Sequence, residues 1–407
     1  MFSNSILLIG LILFFGFLFG EIAKAVKLPK ITGYIVAGIL LDPDLTGIIP
    51  ANFIDHTDPV TNLSLAVIAF SIGGSLLFKK IKELGKGIIS ITFFEAQLAF
   101  IATSLGFVLF SPMMLKIPHA TLIATYIPFS LLIAALASPT DPTSILAVAH
   151  EYKAKGPVSS TVMGVAAFDD VMGIINFSFA IVISQSLMAH IGFSFFSSVF
   201  KPMLIIIGSV AIGVLFGVLL NLFNKIVKGD SDGVYLVLIM AFLSLSYGLS
   251  DLVGADPLLA SMSMGLIVVN FNPNRQKIFQ ILERYTEEII FVIFFTLSGM
   301  HLNFKVFGSS ILLVLIFIVL RNSGKFVGTW LGATISRSSP PVKKYTIGGL
   351  IPQGGIVVGL ALVIKQHQEF SVIADYIISI IIGATVIHEL IGPILSKISL
   401  KKAGEIN

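Results

Sequence analysis

The chain has 407 residues, 56% of them hydrophobic and only 12% charged, with a net charge of +4 and no cysteine. An average soluble domain is about 25% charged, so this composition is that of a polytopic membrane protein with a mean hydropathy of +0.98. The lack of cysteine excludes disulfides, thiolate metal sites and cysteine nucleophiles. Nothing in the composition points to nucleic acid, and no motif calls for a cofactor.

Apolar runs of about 17 to 25 residues mark membrane helices. In chain order they lie at about 3 to 23, 32 to 49, 61 to 78, 87 to 111, 121 to 149, 159 to 188, 202 to 224, 233 to 252, 257 to 271, 285 to 301, 307 to 335, 345 to 365 and 371 to 396. The first begins almost at Met1, without a basic leader or a small-residue cleavage site, and reads as a span and not as a removable signal.

The basic residues support thirteen spans, because cytoplasmic loops collect Lys and Arg. Lys24, Lys27 and Lys30 follow span one; Lys79, Lys80, Lys82 and Lys86 follow span three; Lys153 and Lys155 follow span five. Lys225 and Lys228 follow span seven, Arg275, Lys277 and Arg284 span nine, Arg337, Lys343 and Lys344 span eleven, and Lys397, Lys401 and Lys402 the last. The alternate loops hold Lys116, Lys201, Lys305 and Lys365. The N-terminus is therefore expected outside and the C-terminus in the cytoplasm.

Two spans carry interruptions. Span five contains "ASPTDPTS", in which Pro139 and Pro142 each remove a backbone donor and disturb the preceding turn. Span twelve contains "GGLIPQGGIVVG", with Pro352, Gly354 and Gly355. Seven spans separate them, an odd number, so spans one to six and eight to thirteen would be inverted copies joined by span seven. A broken helix at matching positions of two inverted halves points to a secondary transporter with its site near the midplane. Unwound backbone is tolerated at that depth where protein or a water-filled cavity surrounds it.

At membrane depth stand Glu95, Asp141, Asp169, Asp170, Arg321, Lys325 and Glu389. Each would cost about 2.5 kcal/mol or more if it faced lipid. Asp141 can offset the positive ends of the half-helices and Arg321 or Lys325 the negative ends, while Glu95 and Glu389 read as helix-end or interhelical partners. His150 and His388, lone and near helix ends, read as structural. Asp169 and Asp170 resist that account. Helix neighbours point about 100° apart, so one is suited to pair with a membrane cation, Lys325 or Arg321, and the other to face a cavity. Asp170, the hydroxyls of Ser138 and Thr140 and the freed carbonyls are hard oxygen ligands suited to an alkali ion. Protons and that ion would compete for one carboxylate.

These residues resemble a known family. "LPKITGYIVAGILLDP" (Leu28 to Pro43), "FDD" (Phe168 to Asp170), "GKFVGTWLGA" (Gly324 to Ala333), "PQGGIVVGLAL" (Pro352 to Leu362) and "HELIGPILSKISLKKAGE" (His388 to Glu405) occur in an order similar to that of the monovalent cation/proton antiporter superfamily, in its bacterial paired-aspartate sodium/proton branch. The resemblance implies an all-α fold of thirteen transmembrane helices with two broken crossing helices. It also implies a homodimer in the plasma (inner) membrane. Residues 1–86 and 202–301 would form a dimerisation scaffold, and residues 87–188 and 307–398 a mobile ion-transport core. By motif position Asp170 would carry Na+ or Li+ and the proton, with Thr140, Asp141 and Ser138 nearby, and Asp169 would pair with Lys325. The implied activity is elevator-type exchange, electrogenic in paired-aspartate members, and no regulatory nucleotide-binding domain is expected to follow the last span.

Other readings remain open on the residues. A potassium/proton exchanger would use the same carboxylates in a roomier site. An intramembrane aspartyl protease needs its two aspartates on separate facing helices, whereas here they are adjacent. A symporter for an organic anion would need a cationic pocket at the crossing.

Overall fold

The computed structural model describes residues 4–406 except 27, 29, 44, 55, 80–84, 116, 142–147, 150–151, 189–199, 227–230 and 303. Pro142 and His150 lie outside the described residues. Among the described residues there is helix but no strand, as expected where a bilayer core offers the backbone no other partner. The chain divides into two compact units, the first comprising Met1–Glu21, Gly33–Glu83 and Phe195–Met300 and the second Ile22–Thr32, Leu84–Ser194 and His301–Asn407.

The helices of the first unit begin with α1 (Ser5–Ala25), most of which it holds, and α2 (Lys30–Leu41). The sequence predicts a span from 32 to 49, but α2 stops at Leu41 because Pro43 follows and cannot continue the hydrogen-bond ladder. Next comes α3 (Asp58–Ser75). After the central part of the chain follow α8 (Lys201–Ile226), α9 (Asp232–Leu252), α10 (Pro257–Phe271), α11 (Arg275–Leu282) and α12 (Glu288–Met300). The start of α10 is fixed locally: Asp256 accepts from the Leu258 and Leu259 N–H groups at 2.9 and 3.0 Å, and Pro257 supplies a helical φ where no donor is needed. Helices α3 and α10 pack backbone to backbone, Gly73 against the Met262 carbonyl and Gly265 against the Phe70 carbonyl. Phe70, Leu243, Met264 and Val268 fill the surrounding core.

The second unit contains α4 (Gly85–Met114), α5 (Ile127–Ala135), α6 (Pro157–Ala166), α7 (Asp169–Met188), α13 (Phe304–Ile335), α14 (Pro340–Gly349), α15 (Ile356–Gln366) and α16 (Ser371–Lys402). Helix α13 lies along α4 because Gly324, Gly328 and Gly332 recur one turn apart on one face. They rest on the backbones of Leu98 and Ala99, Phe94 and Glu95, and Ser90 and Ile91. Small residues at this spacing let membrane helices approach closely.

Seven helices among the described residues are long and apolar enough to cross a bilayer, and they fall at expected spans one, four, six, seven, eight, eleven and thirteen. Five shorter apolar helices fall at spans two, five, nine, ten and twelve, and α3 at span three. Span six departs from the expected continuous helix. Its first part ends at Ala166, the Phe168 N–H turns back to the Val165 carbonyl, and a new helix starts at Asp169.

Candidate functional site

Both breaks belong to the second unit and they touch. Helix α5 ends at Ala135, the Leu136 and Ala137 N–H groups turn back to the Ile133 and Ala134 carbonyls, and Ser138 to Asp141 run on outside the helix, since Pro139 offers no donor and disfavours helical backbone at Ser138. Leu350 to Gly355 separate α14 from α15 for the same reason at Pro352. The Asp141 N–H donates to the Pro352 carbonyl at 3.1 Å, so each break satisfies part of the other. The absent side chain of Gly354 makes room for Asp141, whose Cβ would lie 3.0 Å from a Cβ built there. The rings of Pro139 and Pro352 each sit against a glycine, Gly173 of α7 and Gly392 of α16.

The aspartate pair occupies the first turn of α7. The N–H groups of a first turn lack helical acceptors and carry partial positive charge, so the interruption at Ala167 and Phe168 turns a costly mid-helix position into one that favours anions. Sequence alone shows no proline there to announce it.

Asp169 is fully buried and engaged. The Thr140 hydroxyl donates to its Oδ2, and Lys325 Nζ lies 3.5 Å from the same oxygen. Lys325 also donates to Thr140 Oγ1 at 2.8 Å and forms a closer ion pair with Glu95 Oε1. The lysine therefore has two carboxylate neighbours, and the nearer is Glu95. Arg321 forms no ion pair with Asp169 among the described residues. Its guanidinium holds the breaks instead: Nη2 donates to the Pro139 carbonyl at 2.7 Å and Nη1 to the Ile351 carbonyl at 2.8 Å.

Asp170 is less engaged: its buried Oδ1 has no hydrogen-bond partner, as is true of Asp169 Oδ1, but unlike Asp169 it forms no ion pair among the described residues. Ser138 is buried; its hydroxyl donates to the Ala96 carbonyl at 3.2 Å and accepts from Asn176 at 3.2 Å. Asp141 is 3% exposed. Among the described residues of this unit, Glu95, Asp141, Asp169 and Glu389 are buried, Asp170 has a buried oxygen, and the buried cations are Arg321 and Lys325. That surplus of carboxylate is a demand for protons or metal cations.

Sequence reasoning assigned Glu95 a generic interhelical role and did not pair it with Lys325. The signal was present: the glycine stripe of "GKFVGTWLGA" requires a helix at backbone contact, and Glu95 lies on that helix. Gln353, Asn322 and Asn176, which brace the site, carried no such signal.

Comparison with known proteins places the chain in a family and agrees with its fold. Residues 9–402 match the family model described as sodium/hydrogen exchanger, transmembrane. A Na(+)/H(+) antiporter of Enterococcus hirae is 25% identical over 185 residues, 45% of this chain and 46% of that protein, so the aligned part spans less than half of that relative. The fold is similar to that of the sodium proton antiporter MjNhaP1 from Methanocaldococcus jannaschii at pH 8, with a TM-score of 0.77, 18% identity and 98% of each chain covered. An electron-microscopy structure of the same antiporter gives a TM-score of 0.70 at 20% identity, covering 99% of this chain and 98% of that one.

Proposed function

We propose, for a chain that belongs to the sodium/hydrogen exchanger family, that it exchanges Na+, and Li+ by the same chemistry, for protons across the plasma (inner) membrane. The observation that carries this reading is the contrast within the aspartate pair: each keeps a buried Oδ1 without a partner, but Oδ2 of Asp169 is held by Thr140 and Lys325, whereas Asp170 forms no ion pair among the described residues.

Asp170 is the carrier. An ionised carboxylate is costly to move through a low-dielectric barrier unless it is neutralised. It therefore crosses loaded with a proton or with the cation, and competition between the two couples their fluxes. Carbonyls of the two breaks and the oxygens of Asp141, Thr140 and Ser138 surround this region and supply the hard ligands that replace hydration. Exchange is electrogenic because Asp169 is a carboxylate too: two carboxylates at one site can release two protons for each cation they bind.

The second unit is the mobile transport core and moves in an elevator-type cycle. The first unit is the scaffold through which two copies form a homodimer. Thirteen spans, with the N-terminus outside and the C-terminus in the cytoplasm, follow from the distribution of Lys and Arg. A potassium/proton exchanger is the alternative, since the same carboxylates serve a larger ion.

Proteoliposomes with a proton gradient and a pH-sensitive dye test the reading. Dequenching on addition of Na+ or Li+ is expected; a response to K+ alone selects the alternative, and no response to any of the three overturns exchange. Reversal potentials set the coupling ratio, and a ratio of one proton per cation removes the electrogenic step.

A further inference from the structure

Behind the crossing runs a second set of buried polar groups that ion binding does not require. Gln353, in the second break, is fully buried and His388 of α16 is 1% exposed. Gln353 Nε2 donates to the Leu136 carbonyl at 2.9 Å, at the point where α5 unwinds. Its Oε1 is 2.9 Å from His388 Nδ1. His388 Nε2 is 3.4 Å from Asn322 Nδ2, and Asn322 Oδ1 accepts from Arg321 Nη1 at 3.3 Å. Arg321 closes the circuit on the Pro139, Ile351 and Pro352 carbonyls. The chain starts and finishes on the two breaks.

One residue fixes the direction of every bond in it. A guanidinium has donors and no acceptor, so Asn322 must turn its oxygen to Arg321 and its NH2 to His388. Nε2 of the imidazole must then carry the lone pair and Nδ1 the hydrogen. Gln353 must meet that hydrogen with its oxygen, which leaves its NH2 for the Leu136 carbonyl. A second proton on His388 would set N–H against N–H at Asn322. It would also add a second positive charge to a chain that already ends on the Arg321 guanidinium.

We propose that Gln353, Asn322 and neutral His388 are positioning residues: a one-directional hydrogen-bond chain, anchored on Arg321, that sets the spacing of the carbonyls at the two breaks and so decides which alkali ion fits between them. This rests on the cation site proposed above. The three side chains need not touch the ion, because they act through the backbone of Leu136 to Asp141 and Leu350 to Gly355. A rigid set of carbonyls distinguishes cations by radius; a slack one does so poorly.

The test compares wild type, His388→Leu, Gln353→Leu and His388→Gln, reconstituted together, in transport and in hydrogen–deuterium exchange of the two break segments. Loss of one hydrogen bond corresponds to about three- to tenfold in an equilibrium constant. The ratio of KM for K+ to KM for Na+ is therefore expected to fall by about that factor in both leucine variants, with faster amide exchange in both breaks. Gln in place of His388 offers a donor and an acceptor in the same order and is expected to restore both readouts. A KM ratio within about twofold of wild type in folded leucine variants overturns the specificity role. Unchanged amide exchange overturns the positioning chain itself. If the wild type transports no cation, the proposed function fails and the specificity role with it, and amide exchange still decides whether the chain braces the breaks.

Discussion

The two units use the same packing device for different ends. In the first, Gly73 and Gly265 bring α3 and α10 into backbone contact, and the surroundings are Phe, Leu, Met and Val. Among the described residues of that unit Asp42 is the buried charged side chain, and it sits where α2 ends. In the second, Gly324, Gly328 and Gly332 bring α13 onto α4 in the same way, but the seam carries Lys325 against Glu95. Close approach without charge makes a dry, stiff contact. Close approach with charge draws the ion pair out of lipid, so that the pair costs less than exposed charges would.

The sharpest way to break this comparison is to make the same change at a buried carboxylate of each unit. Asp170→Asn removes the group for which proton and cation compete, and exchange is expected to vanish while the protein still elutes as a folded species. Asp42→Asn is expected to leave exchange measurable in the same dye assay. Residual exchange in Asp170→Asn, or its loss only in Asp42→Asn, would move the carrier out of the second unit.

A smaller effect separates the two carboxylates of Lys325. Replacing the lysine by Met leaves Glu95 and Asp169 facing each other without their cation, and removing one partner of a buried pair costs about 3–5 kcal/mol. Lys325→Met is therefore expected to lower thermal stability sharply, and adding Glu95→Gln should recover part of the loss. Asp169→Asn alone is expected to be milder, because Lys325 keeps Glu95. Sequence reasoning by itself expects that substitution to strand the lysine. Melting curves of the three variants beside wild type decide the order, and a loss in Asp169→Asn equal to that in Lys325→Met would show that Glu95 does not compensate the lysine.

What was legible in the sequence follows from which physical signals are local. A proline removes a backbone donor wherever it stands, and where polar and small residues surround it, as at Pro139 and Pro352, it marked a break, whereas Pro112 and Pro393 sit inside continuous helices; charges at membrane depth stand out in any apolar run. Contacts between distant segments were legible only where a pattern implied them. The glycines of α13 implied a partner helix but did not name α4. The interruption before Asp169 carries no proline or glycine at Ala167 or Phe168 and could not be read at all. A repeat relation appears only with the packing: Gly173 meets the Pro139 ring and Gly392 meets the Pro352 ring. The residues three positions before those glycines are Asp170 and Glu389. Each broken segment thus has a proline ring on a glycine that follows a carboxylate by three residues, as the inverted repeat expected from the sequence would require.

The seam glycines give a third, intermediate test. A methyl group at Gly328 would meet the Phe94 carbonyl and the Glu95 Cα, and one at Gly265 the Phe70 carbonyl. Overpacking of this kind costs about 1–3 kcal/mol, so Gly328→Ala and Gly265→Ala are expected to lower the melting temperature comparably. Transport should separate them, because only the first shifts Glu95 from Lys325. Equal losses of exchange per folded protein would mean that the ion pair tolerates displacement.

The smallest expected effect lies at the far end of the segment that leads to the aspartates. Glu405 reaches back to the start of α6, where its carboxylate accepts from the Val158 and Ser159 N–H groups at 2.6 and 2.8 Å. Those first-turn donors have no acceptor within the helix, and a charged cap also answers the positive helix end. Gly156 permits the approach, since a Cβ there would collide with the Glu405 side chain. Glu405→Gln keeps one acceptor and loses the charge, which amounts to about 1 kcal/mol. The melting temperature is expected to fall slightly, and amide exchange at Val158 and Ser159 to quicken while that of α10 stays constant. Because α6 carries the chain directly to Asp169, faster exchange at Val158 with unaltered exchange at Asp169 and Asp170 would show that the interruption at Ala167 and Phe168 insulates the carboxylates from the cap, whereas a matching change at both would show one continuous lever.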